Sequence, residues 1–214
     1  MTSRSRILIA DDHNLIAELC KRLLEQDFDV VGVVSTGHAL LSATAELKPD
    51  VIVLDIAMPV MNGLEAGRRI KKMLPGVKLV YLTMNPDEDL AAEAFTIGAS
   101  GYLLKTCAGS EIVLAVRQAL RDQTYLSKSM SSDAIDNLRW QNKNLVNEAE
   151  RLTDRQREVL QLLAEGKVMK EIAAILNMST RTVAYHKYRM MDVLGVKSSA
   201  ELVRYAIKNK IVAA

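Results

Sequence analysis

The stretch 49-PDVIVLDIAMPVMNG-63 decides the fold of the first half of the chain. Residues 51–54 form an unbroken apolar run, which is typical of a strand covered on both faces of a parallel sheet. The run ends at the carboxylate of Asp55, and the turn signals MP and NG follow it. Because open α/β sheets bind ligands at the carboxyl ends of their strands, we interpret Asp55 as a nucleophile that accepts a phosphoryl group. The alternative is an acid that only caps the next helix.

Charge is distributed unevenly along the 214 residues, a length that suffices for two small domains. Residues 1–126 carry 13 Lys and Arg against 16 Asp and Glu, a net charge of −3, whereas residues 151–214 carry 12 against 6, a net charge of +6. A basic C-terminal third indicates an anionic partner, with nucleic acid as the first candidate. The alternative is a lysine-rich helical domain without such a partner.

Cysteine usage and hydropathy indicate the cellular compartment in which the protein is expected. Cys20 and Cys107 show neither metal-ligand spacing nor a paired framework, which favours a reducing environment. No apolar run approaches the roughly 18–20 residues that span a bilayer. The apolar stretch near the N-terminus is too short for a signal peptide. We therefore expect a cytoplasmic protein without membrane contact.

Apolar runs alternate with amphipathic segments over the first 120 residues or so, and this pattern predicts five strands and five helices. An alternation of this kind implies an α/β fold with a doubly wound parallel sheet in the order 2-1-3-4-5. The predicted strands cover residues 7–10, 30–34, 51–55, 77–83 and 101–105, and the predicted helices cover residues 14–26, 38–47, 63–74, 87–97 and 110–121.

Polar side chains stand where four of these strands end. Asp11 and Asp12 follow the first strand, Asp55 the third, Thr83 the fourth and Lys105 the fifth. The ends of parallel strands lie at one edge of a sheet, so we expect these groups to converge. Carboxylate oxygens suit Mg²⁺, the Lys105 ammonium would neutralise a phosphoryl group, and the Thr83 hydroxyl would bond to it.

The set of motifs resembles the receiver domain of two-component response regulators over residues 6–122. It consists of the acid pair, the segment from Asp55 through Met58 and Pro59 to Gly63, Thr83, and the GYLLK motif that ends at Lys105. The resemblance implies that a partner histidine kinase phosphorylates Asp55. It also implies that Asp11, Asp12, Asp55 and the backbone carbonyl of Ala57 bind Mg²⁺ (or Mn²⁺), and that Tyr102 is a switch aromatic that turns inward when Thr83 engages the phosphate.

Two details of the receiver motifs are informative. Thr106 follows the lysine where many receivers carry proline. Phosphatases that form an aspartyl-phosphate commonly carry a second Asp two residues past the nucleophile as general acid. That position is Ala57 here, so we do not expect an enzyme of this class.

The joint between the two halves is predicted to be helical. We assign residues 1–124 to the phosphoacceptor domain, 125–150 to the linker and 151–214 to the basic domain. Apolar residues and Asn142 follow the a and d spacing of a heptad repeat between Ile135 and Leu152. The helix would then pair with its copy in a second subunit through Asn142. The alternative is that the stripe docks on the chain's own domains.

The basic tail reads as four short helices. The sequences TDRQ from Thr153 and SSAE from Ser198 are interpreted as capping boxes of the first and last helix. The two middle helices, residues 170–176 and 180–194, are joined by a tight turn, which matches a helix-turn-helix. Val168 stands where Ser or Asn would cap the second helix better.

This tail resembles the LuxR-type DNA-binding domain over about residues 150–214. The resemblance is carried by EVL from Glu158, Gly166, EIA from Glu171, TV from Thr182, His186 and LGV from Leu194. With the receiver motifs, it identifies the chain as a member of the NarL/FixJ family of response regulators. The implied function is transcription regulation on double-stranded DNA, switched by phosphorylation of Asp55. The alternative is a dimeric transcription factor that does not depend on phosphorylation.

The resemblance further implies that the helix over residues 180–194 enters the major groove. Base reading would fall to Ala184, Tyr185 and Tyr188, although core packing is the alternative for both tyrosines. Arg181 lies on the same exposed side. Phosphate contacts are expected from Lys167, Lys170, Thr180, Thr182, Lys187 and Arg189.

The last helix carries a further apolar stripe. The resemblance implies that the active protein is a homodimer held by this helix, and core packing is the alternative. A two-fold dimer predicts a palindromic site. The stripe consists of Leu202, Val203, Ala206 and Ile207.

Overall fold

The computed structural model describes residues 4–130, 152–209 and 211–212. The chain forms two compact units that divide between residues 144 and 145. Most of the predicted linker helix, including Asn142, lies outside the described residues. Leu152, the last position of the predicted heptad stripe, is described and is buried.

The first unit is a parallel sheet in the order β2-β1-β3-β4-β5-β6. The predicted fold class and the order of the first five strands are confirmed. The strands are β1 (Arg6–Ala10), β2 (Asp29–Val34), β3 (Val51–Asp55), β4 (Lys78–Thr83), β5 (Gly101–Leu104) and β6 (Tyr125–Leu126). The helices are α1 (Asn14–Leu24), α2 (Gly37–Leu47), α3 (Gly63–Met73), α4 (Glu88–Ile97) and α5 (Ala108–Leu120).

The sixth strand corrects two predictions. Tyr125 and Leu126, which we assigned to the linker helix, pair with Gly101 and Tyr102 and extend the sheet. The first domain therefore continues beyond residue 124, and the sheet has six strands instead of five. Ser127, fully buried, donates a 2.6 Å hydrogen bond to the carboxylate of Glu111 on α5, which holds the segment after β6 against that helix.

Both faces of the sheet are covered, which explains the apolar run in β3. Ile52 and Leu54 belong to a core cluster that includes residues of α2, α3 and α4. Val51 and Val53 point the other way, into a cluster with residues of α1 and α5. Successive side chains of a strand alternate between faces, so a strand that is buried twice needs apolar residues at every position.

Helix α3 approaches β4 very closely at Gly67. A Cβ atom at this position would overlap the phenolic oxygen of Tyr81 and lie 3.0 Å from its Cζ. Tyr81 is fully buried, and its hydroxyl has no hydrogen-bond partner among the described residues. The close approach therefore requires glycine on the helix.

The second unit consists of four helices, α6 (Asp154–Ala164), α7 (Met169–Ile175), α8 (Thr180–Leu194) and α9 (Ser199–Lys208). The capping box at Thr153 is confirmed, because its side chain accepts from the Gln156 N–H and the Gln156 side chain accepts from the Thr153 N–H. The box predicted at Ser198 is only half present, since Glu201 accepts from the N–H of Lys197 instead. Val168 has no side-chain acceptor, and Glu171 accepts its N–H at 2.9 Å.

The apolar stripe of α9 is divided between the core and the surface. Leu202 and Ala206 are fully buried, on the side of α9 that packs against α6. Their assignment as dimer contacts is therefore wrong, because residues four apart on a helix share a face and this face is already covered. Ile207 is 45% exposed and Val203 is half-buried.

No helix within the described ranges combines the length and the hydrophobicity that crossing a membrane requires.

Candidate functional site

A buried cluster of two acids and one lysine lies at the carboxyl edge of the sheet. Asp11 follows β1, Asp55 ends β3, and Lys105 opens the 3-10 turn directly after β5, whereas the prediction had included it as the last residue of that strand. The Lys105 ammonium is 2.9 Å from both carboxylate oxygens of Asp11 and 2.9 Å from Oδ2 of Asp55. All three residues are at most 5% exposed.

Burial makes the Asp55 carboxylate electrostatically costly. Burial raises the pKa of Asp55 above its usual range, and the negative charge of Asp11 acts in the same direction. The ammonium of Lys105 opposes both effects on this pKa. Desolvation disfavours the charged form of an acid, so additional positive charge beside Asp55 would stabilise its carboxylate.

Asp12 and His13 complete the cluster at its exposed side. Nδ1 of His13 is 2.8 Å from Oδ1 of Asp12, 3.4 Å from Oδ1 of Asp11 and 3.9 Å from Oδ2 of Asp55. One ligand atom from each of the four residues lies within 4.8 Å of the others. The sequence interpretation missed His13, although its position directly after the acid pair is a signal that could have included it.

The donor set fits a hard divalent cation. Oδ2 of Asp11 and Oδ2 of Asp55 contact the ammonium only as ion pairs, without hydrogen-bond geometry. Apart from this ammonium, neither buried oxygen atom has a hydrogen-bond donor within the described part of the chain. Three carboxylates around one ammonium leave negative charge that a cation such as Mg²⁺ would offset.

The loop after β3 holds Asp55 by its backbone. The N–H of Ala57 donates to Oδ1 of Asp55 at 3.2 Å, and the N–H of Gly63 donates to the Ile56 carbonyl at 2.9 Å. A Cβ atom on Gly63 would overlap the Asp55 carbonyl oxygen, so only glycine allows this close return of the loop. Val60 adopts φ +70°, a strained value for a β-branched residue, within the same loop.

Thr83 and Tyr102 are both linked to the loop between β4 and α4. The Thr83 hydroxyl accepts the N–H of Asn85 at 3.1 Å, and the Tyr102 hydroxyl donates to the Asp87 carbonyl at 3.5 Å. The ring of Tyr102 is fully buried, and burial raises the pKa of its hydroxyl, with the Asp87 charge adding to the shift. Thr83 thus lies at the end of β4, beside the strand that carries Asp55, while its hydroxyl bonds to its own loop.

The helix-turn-helix unit presents a basic and aromatic surface. Tyr185 and Tyr188 are 64% and 59% exposed, which excludes core packing for both. The Lys187 ammonium is 5.7 Å from the centroid of the Tyr188 ring, a cation–π distance. Ala184 and Lys187 are half-buried, and the remaining predicted contact residues are exposed: Lys167, Lys170, Thr180, Arg181, Thr182 and Arg189.

Arg155 is a positioning residue that the sequence interpretation missed. Its guanidinium donates to the carbonyl of Leu176 at the end of α7 and, at 2.6 Å, to the buried carboxylate of Glu158. These contacts tie α6 to the turn before α8. Burial lowers the pKa of His186 on α8, and the charge of Arg155 contributes to this shift. The spacing of three residues between Arg155 and Glu158 is a helical ion-pair signal that could have identified the pair.

Two family matches cover most of the chain. Residues 7–117 match the response regulator receiver domain, and residues 150–206 match the bacterial regulatory proteins of the luxR family. The chain belongs to the NarL/FixJ family of response regulators. As a member of this family, it is a DNA-binding transcriptional regulator of a two-component system.

Relatives of this NarL/FixJ regulator align over nearly its whole length. The oxygen regulatory protein NreC of Staphylococcus aureus is 35% identical over an alignment of 213 positions that covers 96% of this chain and 98% of NreC. A solved structure of the Salmonella typhimurium RcsB response regulator has a TM-score of 0.58 at 27% identity, with 95% of this chain and 97% of RcsB covered. RcsB from Salmonella enterica serovar Typhimurium, bound to a promoter in the presence of the phosphomimetic BeF₃⁻, has a TM-score of 0.57 at 26% identity, with 96% and 100% covered.

Proposed function

We propose that Asp55 accepts a phosphoryl group from a sensor histidine kinase, and that this phosphorylation controls DNA binding by the α8 surface. The observation that carries the proposal is the buried Asp55 carboxylate, 2.9 Å from the Lys105 ammonium and next to a second buried acid, Asp11. A buried carboxylate beside a cation, at the ligand-binding edge of a parallel sheet, suits a nucleophile for phosphoryl transfer.

In the proposed reaction, a carboxylate oxygen of Asp55 attacks phosphorus, and the bond between phosphorus and the kinase histidine nitrogen breaks. Lys105 places its ammonium beside the phosphoryl oxygens, while the N–H of Ala57 holds the carboxylate in position. Asp11, Asp12 and Asp55 would hold Mg²⁺, with the predicted help of the Ala57 carbonyl. Bound Mg²⁺ would supply positive charge to the phosphoryl oxygens.

Phosphorylation adds a charge of about −1.5 to −2 beside Thr83. The Thr83 hydroxyl would exchange its backbone contacts with Asn85 for a hydrogen bond to the phosphoryl group. The expected inward turn of Tyr102 does not fit this structure, because its ring is already fully buried, and we expect the ring to stay in place. The switch operates only if the two states of the receiver lie within a few kcal/mol of each other.

The DNA-binding part of the proposal assigns two roles to the α8 surface. Lysine, arginine and threonine side chains contact phosphates and give a binding constant that falls with salt. The exposed rings of Tyr185 and Tyr188, with Ala184 and Arg181, face the bases. Dimerisation of the active protein on a palindromic site is retained, with Ile207 and Val203 as its remaining α9 contacts.

The test combines phosphoryl uptake with DNA binding in the full-length protein. Binding sites are first selected from a random duplex library, and affinity is then measured by fluorescence anisotropy with and without a small phosphodonor and Mg²⁺. Wild type and Asp29→Asn, an exposed control, should take up one phosphoryl group and bind DNA more tightly. Asp55→Asn should do neither.

Equal DNA binding by wild type and Asp55→Asn, with and without the phosphodonor, would instead support the phosphorylation-independent dimer. Phosphoryl uptake that persists in Asp55→Asn would show that another residue is the acceptor.

A further inference from the structure

His13 lies within the acid cluster but has no part in the function proposed above. Its Nδ1 is nearest to Asp12, at 2.8 Å, and also lies within 4 Å of both Asp11 and Asp55. The imidazole is therefore a member of the cluster and does not pair with one acid alone.

The distances from Nδ1 of His13 to the carboxylates are close to those within a first coordination sphere. Ligand atoms about 2.0–2.2 Å from an octahedral cation are about 3 Å apart when adjacent and about 4 Å apart when opposite. The distances of 2.8, 3.4 and 3.9 Å from Nδ1 to the three carboxylates fall close to this interval. The buried Oδ2 atoms of Asp11 and Asp55 belong to the same cluster, and the Lys105 ammonium lies 2.9 Å from each of them and 3.4 Å from Nδ1 of His13.

We infer that His13 supplies a nitrogen ligand at this site, and that the site therefore binds first-row transition metal ions more tightly than Mg²⁺. This inference rests on the metal site of the proposed function. Mg²⁺ prefers oxygen ligands, whereas imidazole nitrogen favours Co²⁺, Ni²⁺ and Zn²⁺. A site with three carboxylates alone would accept Mg²⁺ or Mn²⁺. The additional nitrogen shifts its preference toward the later metals.

With such a preference, the concentration of transition metal ions would determine which ion binds beside the phosphoacceptor Asp55. Any of these ions would share ligands with Mg²⁺, because Asp11, Asp12 and Asp55 belong to both sets. The two kinds of ion therefore exclude each other from the site. A rival role for His13 is an imidazolium that pairs with Asp12 and coordinates nothing.

The first experiment looks for a metal–nitrogen bond in the full-length protein, purified without a polyhistidine tag. Mn²⁺ is the probe, and pulsed electron paramagnetic resonance detects modulation from a directly bound ¹⁴N nucleus. Wild type and His38→Gln, which changes an exposed histidine on α2, should show this modulation. His13→Gln should lose it and still fold, because the His13 side chain is 59% exposed.

The second experiment measures selectivity by competition against bound Mn²⁺. In His13→Gln the affinity for Co²⁺ should fall about tenfold or more, while the affinity for Mg²⁺ should change less than about twofold. Absence of nitrogen modulation in wild type would overturn the inference. An equal loss of Co²⁺ and Mg²⁺ affinity would also overturn it, since His13 would then only orient Asp12.

Asp11→Asn separates this inference from the metal site on which it rests. If Asp11→Asn leaves Mn²⁺ binding unchanged, the ion lies elsewhere, and both the metal site and the role of His13 fail. If Mn²⁺ binding needs Asp11 but shows no nitrogen modulation, the metal site stands and only the role of His13 is overturned.

Discussion

Replacement of Lys105 by methionine tests the electrostatics of the acid cluster directly. The methionine side chain keeps much of the volume of lysine but removes the ammonium that lies 2.9 Å from Asp11 and from Asp55. Both carboxylates are at least 98% buried, so water does not replace the lost charge. The variant therefore contains two buried carboxylates that no longer share a cation.

The expected loss of stability is large. Removal of one partner from a buried ion pair costs about 3–5 kcal/mol, because the remaining charge is left without compensation. A small domain is stable by about 5–15 kcal/mol in total, so the loss is a substantial part of the free energy of unfolding. Lys72→Met, which removes an exposed lysine from α3, should change the stability by less than about 0.5 kcal/mol.

The loss should depend on pH in a defined direction. The pKa of Asp55 is already raised by burial, and removal of Lys105 takes away the ammonium that lowers this pKa. A folded-state pKa above the unfolded value means that the folded state binds more protons between the two values. The Asp55 part of the loss should therefore be full above the folded-state pKa of Asp55 and should shrink as the pH falls through it. Added Mg²⁺ should recover more stability in Lys105→Met than in wild type.

Denaturant-dependent hydrogen exchange of the β3 and β4 amides measures this loss in the full-length chain. The free energy of opening should fall in Lys105→Met and stay unchanged in Lys72→Met. An equal, small effect of both substitutions would refute the view that the ammonium holds two buried carboxylates together. A loss that grows toward low pH would refute the assigned direction of the Asp55 pKa.

Three further predictions test close packing in the two units. Gly67→Ala should destabilise the receiver by about 1–3 kcal/mol, measured by hydrogen exchange. In a double-mutant cycle, Tyr81→Phe should restore part of this loss, because it removes the oxygen atom that the new Cβ would overlap. Gly63→Ala should lower phosphoryl uptake from a small phosphodonor about tenfold or more, because its Cβ atom would displace the Asp55 backbone; an unchanged rate would show that the loop adapts. Leu202→Ala should destabilise the second unit by about 2–5 kcal/mol in urea unfolding, while Ile207→Ala should leave its stability within about 1 kcal/mol of wild type and weaken dimerisation in sedimentation.

The sequence was sufficient to predict the first five strands of the sheet because hydrophobic periodicity changes sharply between strands and helices. The run before Asp55 is apolar at every position, which only a strand buried on both faces requires. The parallel arrangement then places Asp11, Asp55 and Lys105 at one edge of the sheet whatever the details of packing. Topology alone was therefore enough to predict that these three side chains lie close together.

Local pattern does not carry information about contacts that depend on three-dimensional packing. A two-residue strand such as β6 has no periodicity, and only its pairing with β5 defines it. The direction of the His13 side chain depends on the backbone at the turn before α1, where φ is −92° and ψ is 95°. The stripe on α9 is ambiguous for a different reason, since Leu202 and Ile207 are equally apolar and only the position of α6 decides which of them is buried.

The contacts around the cluster indicate which part of the receiver can respond to phosphorylation. Lys105 is buried and held by two carboxylates at 2.9 Å, so its ammonium has little freedom to move. The Thr83 hydroxyl contacts the Asn85 backbone at 3.1 and 3.5 Å, and the Tyr102 hydroxyl reaches the Asp87 carbonyl at 3.5 Å. Thr83 and Tyr102 are thus both joined to one short loop by hydrogen bonds of 3.1–3.5 Å. A phosphoryl group that attracts the Thr83 hydroxyl would compete with its contact to Asn85, so we expect the loop between β4 and α4 to move while β5 remains in place.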